Sequence, residues 1–181
     1  FDIAKGEIHA IVGENGAGKS TLMNILSGVY HPEGGRVIFE GQECHFASTN
    51  EARQAGIAMI HQELSLASQM TAAENVFINR MPKNGFIDYK KMNNDCMEYL
   101  KRLNVSYISP KTKAKNLSIS EQQLLEISKA ISLNARMIIM DEPTSSLTSS
   151  EVEFLLQVVM QLREQGVAIL YISHKLEEIR R

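Results

Sequence analysis

Residues 7–21 read EIHAIVGENGAGKST: an apolar run that passes directly into a glycine-rich loop and then into a helix-forming stretch. Within it, Gly13–Ser20 fits the phosphate-loop pattern G-x4-G-K-[ST]. The chemistry needs those residue types at that spacing. Glycine lets the backbone bend round an anion with its N–H groups pointing inward, and the helix that follows presents its positive end to the same place. Lys19 would reach the β- and γ-phosphates of a nucleotide, and Ser20 would offer a hydroxyl to Mg²⁺. A glycine-rich turn that matched by chance would need neither the strand before it nor the helix after it.

Working outward, the same alternation continues. Gly28 marks a stop for the helix that carries Leu22, Ile25 and Leu26. Past the turn cluster HPEGG, RVIFEG and QECHF read as two strands of a hairpin. Asn50 to Ala55 predicts a short helix and GIAMIHQ a strand. From Thr71 the character changes. Helical segments near 71–80 and 88–104 flank the turn-rich MPKNG, with no strand candidate between them, and 65–133 reads as a helical insertion. Strand pattern returns at Arg136–Met140, and Thr148 with Glu151 can cap a helix whose apolar face is Val152, Leu155, Leu156, Val159 and Leu162. VAILYIS is a last strand with His174 just beyond it. Near-continuous apolar strands alternating with helices predict an α/β fold with a mostly parallel sheet, whose ligands bind beyond the carboxyl ends of the strands. Polar clusters follow Val12, Met140 and Ile172, all at that edge.

Composition narrows the function classes. Hydrophobic residues make up 44% of the 181, enough for a real core. Nineteen basic against 21 acidic side chains, a net charge of −2, leave no electrostatic footprint for nucleic acid or an anionic membrane surface. The apolar stretch Val167–Ile172 is far too short to span a bilayer, and no signal-peptide pattern opens the chain. Cys44 and Cys96 lie far apart with no CxxC spacing, which suggests a reducing compartment without a disulfide framework. Cys44 beside His45 is a poor metal pair, because neighbours on a strand point to opposite faces. Starting at Phe1 and ending on Arg180-Arg181, the sequence reads as an excised piece of something longer, truncated at both ends.

Two further segments carry chemistry. MIIMDEP ends a buried strand on two acids: Asp141 is placed to hold Mg²⁺, usually through water, and Glu142 to polarise an attacking water as general base. LSISEQQ, residues 117–123, supports by itself only a capped helix, with Ser118 and Glu121 as a capping box and Leu124, Ile127 and Ile131 at helical spacing.

Taken in order, these motifs resemble the nucleotide-binding domain of an ATP-binding cassette (ABC) transporter, across essentially the whole chain. GENGAGKST (Gly13, Glu14, Asn15, Gly16, Ala17, Gly18, Lys19, Ser20, Thr21) matches the Walker A loop, and Gln62 in IHQELSL the Q-loop glutamine. Leu117, Ser118, Ile119, Ser120, Glu121 and Gln122 match the signature motif, and Asp141-Glu142 the Walker B aspartate with its catalytic glutamate. SSLT at 145–148 matches the D-loop and His174 the switch histidine. The wording of IHQELSL, of LSI…QQ…EISKA and of DEPTSSLT is most similar to the ATPases of bacterial sugar importers (ribose, galactose or xylose type).

The resemblance implies a RecA-like ATP-binding core formed by 1–64 and 134–181, with 65–133 as the helical subdomain carrying the signature and facing the membrane subunits. It implies ATP and Mg²⁺ as ligands. Gln62 would join Ser20 and Asp141 at the metal and couple to the membrane subunits; His174 would contact the γ-phosphate. The signature helix would present its start, Ser118 foremost, to ATP held by a partner domain. That partner is expected to be a second cassette fused in the same polypeptide, in a head-to-tail ATP sandwich, this chain resembling the first. Permease subunits and, indirectly, a periplasmic or extracellular sugar-binding protein complete the expected assembly, at the cytoplasmic face of the bacterial inner membrane. Three departures stand out. Ser120 replaces the usual signature glycine, the D-loop ends in Thr148 instead of aspartate, and the adenine-stacking aromatic and the family's terminal strands are not in this chain. A transport ATPase, a regulatory module that binds ATP and dimerises with little turnover, and a non-transport relative all remain open at this level.

Overall fold

Along the chain, β1 (Ile8–Ile11) leads through the glycine loop into α1 (Lys19–Leu26), followed by β2 (Val37–Phe39), β3 (Gln42–Cys44), α2 (Thr49–Ala55) and β4 (Ile57–Ile60). The middle of the chain holds α3 (Ala72–Val76), β5 (Lys83–Asn84), β6 (Phe86–Ile87), α4 (Tyr89–Arg102), one 3-10 turn (Ala114–Asn116) and α5 (Ile119–Ser132). It closes with β7 (Met137–Asp141), α6 (Ser149–Glu164), β8 (Ala168–Ile172) and α7 (Leu176–Ile179). This is a computed structural model, and it describes residues 1–13 and 16–180.

Four strands make one parallel sheet in the order β1-β8-β7-β4, and β2-β3 form a separate antiparallel hairpin. The sheet is covered on both faces, which is why β4, β7 as far as Met140, and β8 are nearly continuous apolar runs, with His9 of β1 an exception. Along β7 the side chains alternate. Ile138 and Met140 join Ala58, Ile60, Ile169 and Tyr171 in one core, shared with Leu125 and Ile127 of α5 and Leu155 and Val159 of α6. Met137 and Ile139 join Ile57, Leu170 and Ile172 in a second core, against Met23 of α1 and Ala52 of α2. The register sets Ile11 beside Ile172 and Ile172 beside Asp141, so three strands end level and their last residues open onto one edge. Gly28 does end α1 as its sequence position predicts. It sits at φ 75°, where a Cβ would come within 2.6 Å of the Ser48 carbonyl oxygen.

The helical block differs from expectation in two respects. The first segment stops at Val76 instead of running to 80: Asn79 adopts a left-handed φ of 64°, and Arg80 turns back to donate to the Val76 and Ser132 carbonyl oxygens at 2.7 and 3.1 Å. Second, the stretch read as free of strands holds the small β5-β6 hairpin, with Lys83 opposite Ile87 and Gly85 at φ 75°. Asn84 pairs with Phe86 and Gly85 alone makes the turn; in the sequence this glycine sits in a turn-like cluster with Pro82 and Lys83, which hides the two short strands. α3, α4 and α5 pack on one another, and α5 also reaches β4 and α6.

Candidate nucleotide site at the strand edge

The edge where β1, β7 and β8 end gathers the polar residues singled out above. After β1, Gly13 leads into the loop, and Glu14 and Asn15 lie outside the described residues. Gly16 and Gly18 both have φ 87°, with nothing within 4 Å of where a Cβ would stand, so the loop follows a path open to glycine and strained for other residues. Lys19 donates from Nζ to the Gly13 carbonyl oxygen at 2.7 Å, folding its ammonium back over the loop. Ala17, Ser20 and Thr21 are exposed at the start of α1. That start differs from those of α2, α3, α4 and α5, which are capped by Ser48, Thr71, Asp88 and Ser118; among the described residues no side chain caps α1. Among the described residues, no side-chain acceptor competes for its first-turn N–H groups, the arrangement an oxyanion needs.

β7 delivers the acids. Asp141 is its last residue and half-buried. Burial, and the adjacent Glu142 carboxylate, hold the Asp141 pKa above the usual aspartate range, while His61 and Lys19 pull against that rise. Such a carboxylate gains from a cation beside it. Glu142 has a left-handed φ of 44°, unusual for a residue with a side chain, and its N–H donates to the Ile172 carbonyl oxygen at 3.0 Å. That conformation swings its carboxylate out of the sheet toward the end of β8. There His174 Nδ1 meets Glu142 Oε1 at 3.0 Å; the Glu142 side chain is 18% exposed and that of His174 57%. With Nδ1 engaged, Nε2 is left to point at whatever occupies the edge.

The donor set fits a magnesium nucleotide. Asp141 and the Ser20 hydroxyl are hard oxygen donors, and no cluster of three or more His, Cys, Asp or Glu occurs among the described residues. Mg²⁺ suits such a sparse set, because it keeps several waters and takes its remaining ligands from phosphate.

Other expected site residues make no hydrogen bond to this cluster among the described residues. Gln62 is exposed in the loop after β4. Ser118 caps α5 in a full capping box: its Oγ accepts from the Glu121 N–H at 3.2 Å and Glu121 accepts from the Ser118 N–H at 2.8 Å. Leu117 is buried, Ile119 is exposed, and Gln122 donates to the Leu117 carbonyl oxygen at 2.9 Å. Ser120 pairs with Ser118 at 3.0 Å and donates to Glu151 Oε1 at 2.7 Å. Glu151 in turn accepts from the Thr148 N–H at 2.9 Å, tying the signature segment to the turn before α6. Neither Gln62 nor the signature serines hydrogen-bond to Lys19, Asp141, Glu142 or His174 among the described residues.

Sequence reasoning passed over two buried or nearly buried acids that brace the site. Glu126 of α5 accepts from the Ser65 N–H and hydroxyl at 3.1 and 2.8 Å, holding the segment that follows Gln62. Glu178 of α7 gathers hydroxyls from behind the strand edge. Glu126 lies within the EISKA wording but shows there only as one acid beside apolar residues, and Glu178 belongs to no motif.

The family model for "ABC transporter" matches residues 1–145. The ribose import ATP-binding protein RbsA 1 of Streptomyces avermitilis is 52% identical over 99% of this chain and 34% of its own length. The galactose/methyl galactoside import ATP-binding protein MglA of Clostridium perfringens is 46% identical over 98% of this chain and 34% of its own length. The chain thus spans about a third of the curated relatives it matches. A crystal structure of MJ1267, an ATP-binding cassette of an ABC transporter in its ADP conformation, superposes with a TM-score of 0.84 at 28% identity, covering 98% of this chain and 74% of that one.

Proposed function

Because the chain belongs to the ABC transporter family, we propose that it is the ATP-binding and ATP-hydrolysing part of an importer that couples hydrolysis to uptake of a sugar. The observation that carries this is the contact of His174 with Glu142 at the carboxyl edge of the sheet, beside the loop that carries Lys19. A phosphate-binding loop alone would serve many proteins; a base held by a histidine at the same edge equips it to activate water. The relatives' names, ribose and galactose import ATP-binding proteins, support a monosaccharide as cargo.

In this reading Gly13, Glu14, Asn15, Gly16, Ala17, Gly18, Lys19, Ser20 and Thr21 cradle the phosphates of ATP, with Lys19 leaving Gly13 for the β- and γ-phosphates. Asp141, Ser20 and Gln62 hold Mg²⁺, which when bound neutralises charge developing on the phosphates. Glu142 accepts a proton from the attacking water, and His174 keeps that carboxylate in place through Nδ1 while Nε2 meets the γ-phosphate. Residues 1–64 and 134–181 act as the ATP-binding core and 65–133 as the helical subdomain. Leu117 to Gln122 complete the site of a partner cassette, fused in the same polypeptide. There the Ser118 hydroxyl and the dipole of α5 face the partner's γ-phosphate. Permease subunits, a sugar-binding protein and a place at the cytoplasmic face of the membrane follow from the same assembly. No helix among the described residues is long and apolar enough to cross a membrane.

The test is steady-state ATP hydrolysis by the full-length protein in its transporter, with Glu142→Gln alongside. Removing a general base lowers turnover by roughly 10²–10⁴-fold. ATP binding without hydrolysis in the unmutated protein would overturn this proposal in favour of a nucleotide-gated dimerisation module.

A further inference from the structure

Behind His174, one carboxylate gathers four donors from two segments, the turn after β7 and the end of β8. Glu178 lies on α7, four residues past the histidine, with its side chain only 8% exposed. Thr144, two residues after Glu142 and 1% exposed, places its hydroxyl 2.8 and 2.7 Å from the two Glu178 oxygens. Tyr171, near the end of β8, donates to Oε2 at 3.1 Å, and Ser173, just before His174, donates to the same atom at 3.2 Å. Lys175, just after His174, puts Nζ 3.3 Å from Oε1 and also reaches the Thr144 carbonyl oxygen at 3.4 Å. The Lys175 N–H donates to Ser173 Oγ at 3.0 Å and closes the ring of contacts.

We propose that Glu178 is a positioning residue whose carboxylate locks the segment after β7 to the segment after β8, fixing the placement in which His174 meets Glu142. The alternative is a buried acid that merely stabilises the fold. Three features favour the more specific role. Its partners lie two residues after Glu142 and on either side of His174, so any shift of one segment against the other breaks a bond to Glu178. All four partners offer protons, and a carboxylate can accept from all of them; an amide would turn two N–H groups toward donors. Burial raises the Glu178 pKa, but the bonds from Thr144 and Lys175 outweigh it and leave the net direction downward, so the group stays charged and keeps accepting. The exposed His174 ring has Glu142 as its one side-chain hydrogen-bond partner among the described residues, so its place depends on the backbone that Ser173 and Lys175 hold. This inference rests on the proposed roles of Glu142 and His174.

The experiment compares Glu178→Gln, Thr144→Val and the double variant in the full-length transporter. It records kcat and KM for ATP, nucleotide affinity, and the ¹⁵N signal of His174 Nδ1. Expected is a roughly tenfold loss of kcat in each single variant, with KM and affinity within twofold. The double variant should be no slower than the slower single one, because both act through one contact. The His174 Nδ1 signal should lose its hydrogen-bonded character in all three. That spectral readout does not need turnover, so failure of the proposed ATPase activity and failure of the positioning role remain distinguishable. Unchanged kcat with an unchanged Nδ1 signal would overturn the proposal. So would additive losses that track thermal stability alone.

Discussion

The strand edge and the start of α5 both reach toward phosphate in the proposed mechanism, yet they are built by opposite means. At the edge, Glu142 and His174 stand on backbone held by the β7-β8 ladder, with the Glu142 N–H bonded to Ile172 and the segments beneath tied to the nearly buried Glu178. Ser118 and Ser120 stand on an exposed helix start whose hydrogen bonds run to Glu121, Glu151 and each other. One half is fixed by the core; the other is fixed by exposed local bonds and one part-buried bond to Glu151 at the start of α6. A group that performs chemistry gains from being over-determined, whereas a group that must meet and leave a partner domain needs contacts that cost little to exchange.

The largest expected effect that would break this contrast is at His174. His174→Ala should lower turnover on the order of 100-fold or more with almost no change in thermal stability, since its side chain is 57% exposed. Steady-state hydrolysis and a melting curve on the same preparation decide it. A large loss of stability would mean that the edge is held by the histidine itself and not from below.

Glu178 sharpens the contrast through pH. Its folded pKa lies below the ordinary glutamate value, burial acting upward and the Thr144 and Lys175 contacts acting downward more strongly. The unfolded chain therefore takes up the proton first. The stabilisation is complete above the ordinary glutamate range and is lost as pH falls through the depressed folded value. Melting temperatures of the parent and Glu178→Gln should differ most near neutrality and converge in acid. The neutral gap should correspond to about 1–3 kcal/mol, the scale for leaving buried donors unpaired. A gap that widened on acidification would reverse the assigned direction.

Why the one region was legible in the sequence and the other only in part follows from the same physics. Gly13–Ser20 was readable because a phosphate imposes backbone demands that only glycine meets at Gly16 and Gly18, both at φ 87°. The parallel sheet was readable because burial on both faces forces unbroken apolar strands such as Met137–Met140. The Ser118 and Glu121 capping box is local, and local pairs leave a spacing in the chain. Glu178 and Thr144 are 34 residues apart, and Ser65 and Glu126 are 61 apart; nothing in either residue's neighbours announces the other. The early stop of the first helix in the insertion was hidden for the same reason, because Arg80 finds its outside partner at Ser132. The β5-β6 hairpin is a different case, a local signal at Gly85 read as turn alone.

A smaller effect is expected where the exposed half is capped. Ser118→Ala removes the acceptor for the Glu121 N–H and should cost about 1 kcal/mol, the usual worth of such a cap. Hydrogen exchange should place that loss in the first turns of α5 and leave β7 and β8 protected. Spread of the loss into the strands would mean that the signature start is mechanically part of the core, and the contrast would fall.

The smallest effect is the most discriminating. Ser120→Gly restores the residue that resembling signatures carry and removes two hydroxyl contacts, to Ser118 and to Glu151. Glycine near a helix start costs about 0.5–1 kcal/mol in backbone entropy, and the exposed bond to Ser118 and the part-buried bond to Glu151 add little net to that. Stability should therefore fall by about 1 kcal/mol and turnover should stay within about twofold of the parent, because the proposed general base stands at the edge. A large rise in turnover would give Ser120 a different meaning. The 2.7 Å bond to Glu151 would then be a latch that keeps the signature from its partner's phosphate, and Glu151→Gln, which weakens the acceptor but leaves Ser120 in place, should reproduce part of that rise.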